Sequence, residues 1–556
     1  MLKFLKKVDK TLDREIPLFL LILLLIILRL PNFFEPYWYG DEAIYLTIGN
    51  ALRFGEKLYT DIIDHKTPII YFLAKVPNQL SFRFLNLLWT ALATVSFYFL
   101  AKKIFKKKSL SFFSTLIFVL LTSLPWFEGY IPNGELFVIG FVMAGAYLLS
   151  NTNYFNNFLK GKIIKTKQLV QSKKSASKKN QRSLFTLIKN KKEELLIFIA
   201  GCFFALAILT KVPALLDFAA FMAIAWFSLV NTFSFSPKKL KNWKKQLLPQ
   251  LKKFFILLAG VLTPILLSVI YFASKGSAKD YLDFGLLYNF RYASSWQLNF
   301  TNPVLIFAFS LKGKLILLSL LFFLLSFAKK LITPKAQLLI AWFALSLFAS
   351  LLSNRPYPHY FLQIMPAFSL LIIYLLYSLL KIYQTKKKSL VNIVEISLAS
   401  LLILIAFASM KLLKLGLHPV KTYYQNFYLY ATRKLSEEDY YQSFNNLMRD
   451  NYKASKIIQD KAEKRIFIWG NNPMLYAHSK TIPTGRFTVA FHIKDFNAYR
   501  ETMDGIKKHQ PKIIVVMKDE QDPFPEFYRY LYRFYKLKYN LEYMFIFEKV
   551  DQPESK

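Results

Sequence analysis

The chain has a single cysteine in 556 residues, Cys202, set within an apolar run, so no intramolecular disulfide can staple the fold and no redox compartment is readable from it. Acidic residues are also scarce. Asp and Glu number 34 against 74 Lys and Arg, a formal net charge of +40. Such an excess suits nucleic acid when it lines a soluble face; here it sits mainly in short blocks between apolar runs, and no nucleic-acid partner is expected. The last quarter of the chain contains no phosphate-cradling glycine loop, no zinc-type spacing and no nucleophile elbow. An internal repeat, the usual mark of a transporter, is missing too. No small-residue cleavage site precedes Pro31, so the first apolar run reads as a retained helix.

What the chain has in abundance is apolar sequence. Hydrophobic residues make up 54% and aromatics 17%, in runs too long for one soluble core. The fold class is a polytopic α-helical membrane protein with about eleven spans, each near the roughly 20 residues a bilayer core demands. They are placed at 16–31, 82–101, 109–125, 135–150, 194–210, 212–230, 254–273, 303–328, 336–353, 362–380 and 391–413. Lys312 and Lys314 interrupt the eighth, whose first part is expected outside the bilayer as a re-entrant or interfacial piece.

Lysine and arginine gather in alternate loops: Lys102 to Lys108, the block 151–193, residues 238–253, Lys329 with Lys330, and Lys386 to Lys388. With the N-terminus cytoplasmic, these inside loops hold roughly three times the basic residues of the opposite ones. The block 151–193 then reads as a solvated cytoplasmic loop able to lie on anionic headgroups. Two domains follow, a transmembrane module over 1–414 and a small α/β domain over 415–556, the latter extracytoplasmic. Its strands are expected at 465–470, 512–518 and 543–550, with a basic-aromatic helical stretch at 525–539. The expected location is the plasma or inner membrane, in several passes.

The informative region is the extracytoplasmic loop 32–81, where YWYGDEAIYLTIGNALRFGEKLYTDIIDHKTPIIYF sets Asp41 and Glu42 among aromatics at the membrane edge. Carboxylates are costly near hydrocarbon, which makes them a functional-site hypothesis by default. On the same side lie Glu128 and Glu135 in PWFEGYIPNGELF, Lys211 in LTKVPALLD, and Arg355 and His359 in SNRPYPHYFLQIMP. Acids on some loops and cations on others suit a lipid-phosphate-linked sugar. A carboxylate takes the proton of an attacking hydroxyl, and cations hold the leaving phosphate as charge develops.

The run GDEAIYLTIGNALRFGEKLYTDIIDHKTPIIYF resembles the first extracytoplasmic loop of GT-C glycosyltransferases of the protein-mannosyltransferase and aminoarabinose-transferase-like group, glycosyltransferase family 39-like. NGELF, GCFFALAILTKVPALL, RPYPHYFLQIMP and FIWGNNPMLYAHSKTIPTGRF extend the likeness over most of the chain. The resemblance implies an enzyme that uses a polyprenyl-phosphate sugar donor and an acceptor hydroxyl at the outer face, with no nucleotide sugar. It implies Asp41 as base or acceptor-positioning residue, Glu42 as its neighbour, Glu135 as the acid of the second loop, Lys66 and Lys211 at the donor phosphate, and His359 in the Tyr/His-rich loop before a late span; the convergence of cations on this side adds Arg355 and His359 to the expected phosphate contacts. Thr67 stands where the group has the first proline of Lys-Pro-Pro.

Plainer readings exist for each residue. Asp41 could cap a helix starting near Ala43, Glu135 could serve the N-terminus of the fourth span, and Lys66 and Lys211 could snorkel. His359 could belong to an interfacial aromatic belt. Asp61 and Asp64 could hold a divalent ion with the phosphate, although two carboxylates three apart are a sparse metal signal. A flippase for a lipid-linked sugar and an O-antigen-type ligase or polymerase are the competing functions. Sugar and acceptor identity have no local spelling in the sequence.

Overall fold

The computed structural model describes residues 16–161, 177–232, 243–294, 296, 298–328, 330–386 and 389–550. Much of the expected cytoplasmic charge, in residues 1–15, 162–176 and 233–242 and at Lys329, Lys387 and Lys388, lies outside the described residues. The protein is a multi-pass helical membrane protein. Among the described residues, six helices are long and apolar enough to cross a bilayer: Ile16–Phe34, Gln79–Phe105, Ala214–Asn231, Leu248–Ser274, Pro358–Thr385 and Leu390–Leu412. Two bent pairs raise the number to eight: Gly134–Ser150 with Asn153–Leu159, and Pro303–Phe309 with Leu311–Phe327.

Each of the eleven apolar segments is helical, but not each is a full span. Lys108–Leu121 and Pro334–Ser350 are shorter apolar helices. The latter is buried continuously from Ala336 to Ser350. Hydropathy reads such a helix as lipid-facing, whereas its apolar surface is covered by other helices. The helix Ser177–Ile208 contains the fifth segment up to its last two residues, which form a turn. The eighth segment breaks by 76° at Ser310, whose hydroxyl accepts from Gly313 N at 2.9 Å and so caps the second piece. Lys314 then turns inward, its Nζ donating to Leu351 O at 2.5 Å and Asn354 Oδ1 at 2.9 Å.

The first loop folds into a helix of its own, Gly40–Arg53. It starts earlier than Ala43, and Asp41 does not cap it: Tyr39 is the cap residue, and both acids lie in the first turn, where the helix dipole favours negative charge. At Gly49 this helix meets the backbone of the loop's return segment, so closely that a Cβ would stand 2.1 Å from Ala74 O. Gly49→Ala is therefore expected to cost about 1–3 kcal/mol or more by forcing the segments apart. Melting temperature and the monodisperse yield on size exclusion would register that loss; unchanged values would show the contact to be pliable.

The C-terminal unit is built on a five-stranded sheet in the order β2-β1-β3-β5-β4. Its strands are β1 (Arg465–Trp469), β2 (Ile482–Pro483), β3 (Ile513–Met517), β4 (Tyr535–Asn540) and β5 (Met544–Lys549). β1 runs parallel to β2 and β3, while β5 is antiparallel to β3 and β4. Three strands fall where the sequence predicts them. The basic-aromatic stretch divides instead into a helix, Pro525–Phe534, and β4. From Tyr535 the pattern alternates Tyr, Lys, Leu, Lys, Tyr, a period of two that favours a strand.

This unit packs on the first loop. Ile63 N donates to Arg486 O at 2.8 Å, Asn50 Nδ2 to Lys480 O at 2.8 Å, and Arg465 pairs with Glu56. The loop is thus held between the helical bundle and the sheet domain.

Candidate functional site

Where the first loop, the Lys211 turn, the Arg355–Tyr360 loop and the C-terminal unit meet, they enclose a cavity of about 940 Å³. Its wall is charged on one part and apolar on another, the latter carrying Leu311, Leu315 and Phe348. Asp41, Asp64, Lys66, Glu135, Lys211, Arg355 and His359 all line it.

At one wall Lys66 Nζ lies 3.3 Å from Asp41 Oδ2 and 3.5 Å from Asp64 Oδ2. Asp64 is fully buried and accepts from the Tyr71 hydroxyl at 2.8 Å; Asp41 is 29% exposed and accepts from Tyr45 at 3.1 Å. Tyr59 fixes the backbone here by donating to Lys66 O at 2.8 Å. Thr67, the departure from the Lys-Pro-Pro pattern, donates to Ile208 O at 3.1 Å and tethers the lysine's segment to the bundle. Burial would raise both carboxyls, but the basic side chains around them together outweigh it, Lys66 first, with His359 and Lys211 at Asp41 and His65 and His492 at Asp64, holding Asp41 below its ordinary range and Asp64 well below. Burial would lower Lys66, and Asp41 with Asp64 carry it above its ordinary range instead. All three groups are therefore charged at neutral pH.

Opposite them, Lys211 pairs with Glu135, and its Nζ sits 4.3 Å from the centre of the Tyr360 ring. Glu135 lies in the first turn of Gly134–Ser150 without capping it. Arg355 lies over the Tyr292 ring at 4.3 Å. Glu128, at φ 57° in the left-handed region, gathers three partners from distant segments. Its Oε2 accepts from Tyr39 at 2.5 Å and meets His359 Nδ1 at 2.6 Å, and its Oε1 meets His418 Nε2 at 3.0 Å. Burial would raise the Glu128 carboxyl, and His359 above all holds it below the ordinary range.

Two expected residues stand elsewhere. Glu42 is not on the cavity wall: it turns into the bundle and binds Arg83, with Nη2 to Oε2 at 2.8 Å and Nε to Oε1 at 2.9 Å. Asp61 Oδ2 accepts from Lys57 N at 2.7 Å, closing a turn, and takes no part in the Asp64 cluster. Sequence reasoning also passed over His492, whose Nε2 comes 3.6 Å from Asp64 Oδ1, and gave Glu128 no specific role. No spacing motif could have joined His492 to a loop more than 400 residues away.

Two solved structures match nearly the whole chain. ArnT from Cupriavidus metallidurans bound to undecaprenyl phosphate has 11% identity and a TM-score of 0.48, over 96% of this chain and 98% of that one. ArnT from the same organism in the apo state has 12% identity and a TM-score of 0.49, over 96% and 97%. No family model and no curated protein matches the sequence.

Proposed function

We propose that the chain is a membrane glycosyltransferase moving a sugar from a polyprenyl-phosphate donor to an acceptor hydroxyl at the outer face of the membrane, the N-terminus being cytoplasmic and the C-terminal domain outside. The observation that carries this reading is Asp41 and Lys66 in contact on the wall of one cavity that also holds Lys211, Arg355 and an apolar flank. The donor's three parts have matching surroundings: the isoprenoid chain beside Leu311 and Leu315, the phosphate among the cations, the sugar before Asp41.

In the transfer, the bond between anomeric carbon and phosphate oxygen breaks with its electron pair going to the phosphate. The acceptor oxygen attacks the anomeric carbon from the opposite side, and its proton passes to Asp41. A single displacement inverts the anomeric configuration. The phosphate's growing charge is held by Lys66, Lys211 and Arg355. Asp41 paired to Lys66 is a weak base. An arriving phosphate shares Lys66 and loosens that hold, so the proton affinity of Asp41 rises when the donor is bound.

Purified chain in liposomes, given a polyprenyl-phosphate sugar labelled in the sugar, is expected to release unglycosylated polyprenyl phosphate and to label an acceptor. Movement of intact donor between leaflets with no bond cleavage would instead make it a flippase and sink the proposal. Lys211→Gln is expected to raise the donor KM by on the order of ten- to a hundredfold, the worth of one charge-assisted contact. Because that change leaves Glu135 without its partner, Glu135→Gln combined with Lys211→Gln is the decisive variant. It should restore thermal stability without restoring donor affinity.

A further inference from the structure

We propose that Asp64, His65 and His492 form a binding site for one divalent cation of the zinc type, joining the C-terminal domain to the first loop. The three ligand atoms come from two parts of the chain that meet only in the fold. His65 Nδ1 lies 2.8 Å from Asp64 Oδ1, His492 Nε2 lies 3.6 Å from the same oxygen, and the two nitrogens are 3.4 Å apart. A triangle of that size has a point about 2 Å from all three corners, the length of a zinc–nitrogen or zinc–carboxylate bond.

The contacts are poor as hydrogen bonds. Asp64 Oδ1 is buried and accepts no hydrogen bond although two ring nitrogens lie close to it. Facing nitrogens at 3.4 Å can share at most one proton between them. One cation between them would satisfy all three atoms together. Two imidazoles and one carboxylate, with no sulfur, suit zinc, cobalt or nickel better than the all-oxygen cations calcium and magnesium.

The supporting groups are in place around these ligands. The other carboxylate oxygen of Asp64 is held by the Tyr71 hydroxyl at 2.8 Å, and the His65 ring stacks on Tyr292 with centroids 4.7 Å apart. Such outer contacts fix ligand orientation. Lys66 lies on the far oxygen of Asp64, so the carboxylate separates the two positive charges. Asp64 and His65 line the cavity, which leaves a fourth coordination position for a water or an anionic oxygen there. Asp61, expected as the second carboxylate, is replaced in this set by the two histidines.

The test uses the full chain purified in detergent, stripped with a chelator and titrated with Co²⁺ alone. A visible d–d band of tetrahedral intensity is expected, saturating at one Co²⁺ per chain and bleached by Zn²⁺. His492→Gln and His65→Gln each remove a ligand and should weaken Co²⁺ affinity by more than the roughly ten- to hundredfold that losing an outer contact costs, while His509→Ala, an exposed histidine on the same domain, leaves it unchanged. The proposal is overturned if the intact chain shows no band at micromolar Co²⁺, or if both glutamine variants keep it. Should one variant not fold, the other and the intact chain's zinc absorption edge, read for two nitrogens and an oxygen, decide. No substrate enters the measurement, so the site stands or falls separately from the transferase reading.

Discussion

Asp41→Asn is expected to reduce sugar transfer by on the order of 10² to 10⁴, the range a general base contributes, while leaving the protein folded and donor binding largely intact. The substitution is nearly isosteric and keeps an oxygen for the Tyr45 hydroxyl, which reaches Asp41 Oδ2 at 3.1 Å. It does not strand a charge, because Lys66 keeps Asp64 at 3.5 Å. What disappears is the more accessible carboxylate of this wall, 29% exposed, whereas Asp64 is buried and held by Tyr71. The diagnostic pattern is a fall in kcat with little change in donor KM, alongside an unaltered melting temperature. Turnover at the parental rate would remove Asp41 from the chemistry.

The acid beside it shows how far a sequence can be read. Asp and Glu in succession look like a pair, but on a helix successive side chains are about 100° apart, so Asp41 opens on the cavity and Glu42 enters the bundle. Which of them faces the cavity depends on how Gly40–Arg53 is rotated against its neighbours, and Arg83, the residue that settles it, lies in another helix, Gln79–Phe105. Lys66 was within reach of sequence reasoning because it shares the loop with Asp41. Glu128 was visible as a loop acid, yet its meaning comes from Tyr39, His359 and His418, three segments that only packing assembles. The same limit applies to the spans: apolar composition located all eleven helices, but it does not distinguish a helix wrapped in lipid from Pro334–Ser350, wrapped in protein.

Glu42→Ala should fail in the opposite way, by loss of folded protein. Glu42 and Arg83 are 1% and 2% exposed and meet through two parallel N–H to carboxylate bonds, with Gln79 Nε2 adding a third to Glu42 at 2.9 Å. Arg83 also donates to the carbonyls of Asn32 at 2.6 Å and Glu35 at 3.1 Å, so it clasps the end of the first helix to the start of Gly40–Arg53. Deleting the carboxylate takes from a buried guanidinium the nearer of its two counter-charges, leaving only Glu35 with Oε2 at 3.7 Å, at a cost of about 3 kcal/mol. Folded yield and melting temperature should fall sharply. Glu42→Met with Arg83→Met should recover part of the loss, because no guanidinium is left stranded; recovery stays partial, since the buried Glu35 carboxylate loses the Arg83 Nη2 that lies 3.7 Å from its Oε2 and the Asn32 and Glu35 carbonyls lose their donor. A Glu42→Ala protein with normal melting and no transfer would reverse the assignment, moving Glu42 from the frame of the site into its chemistry.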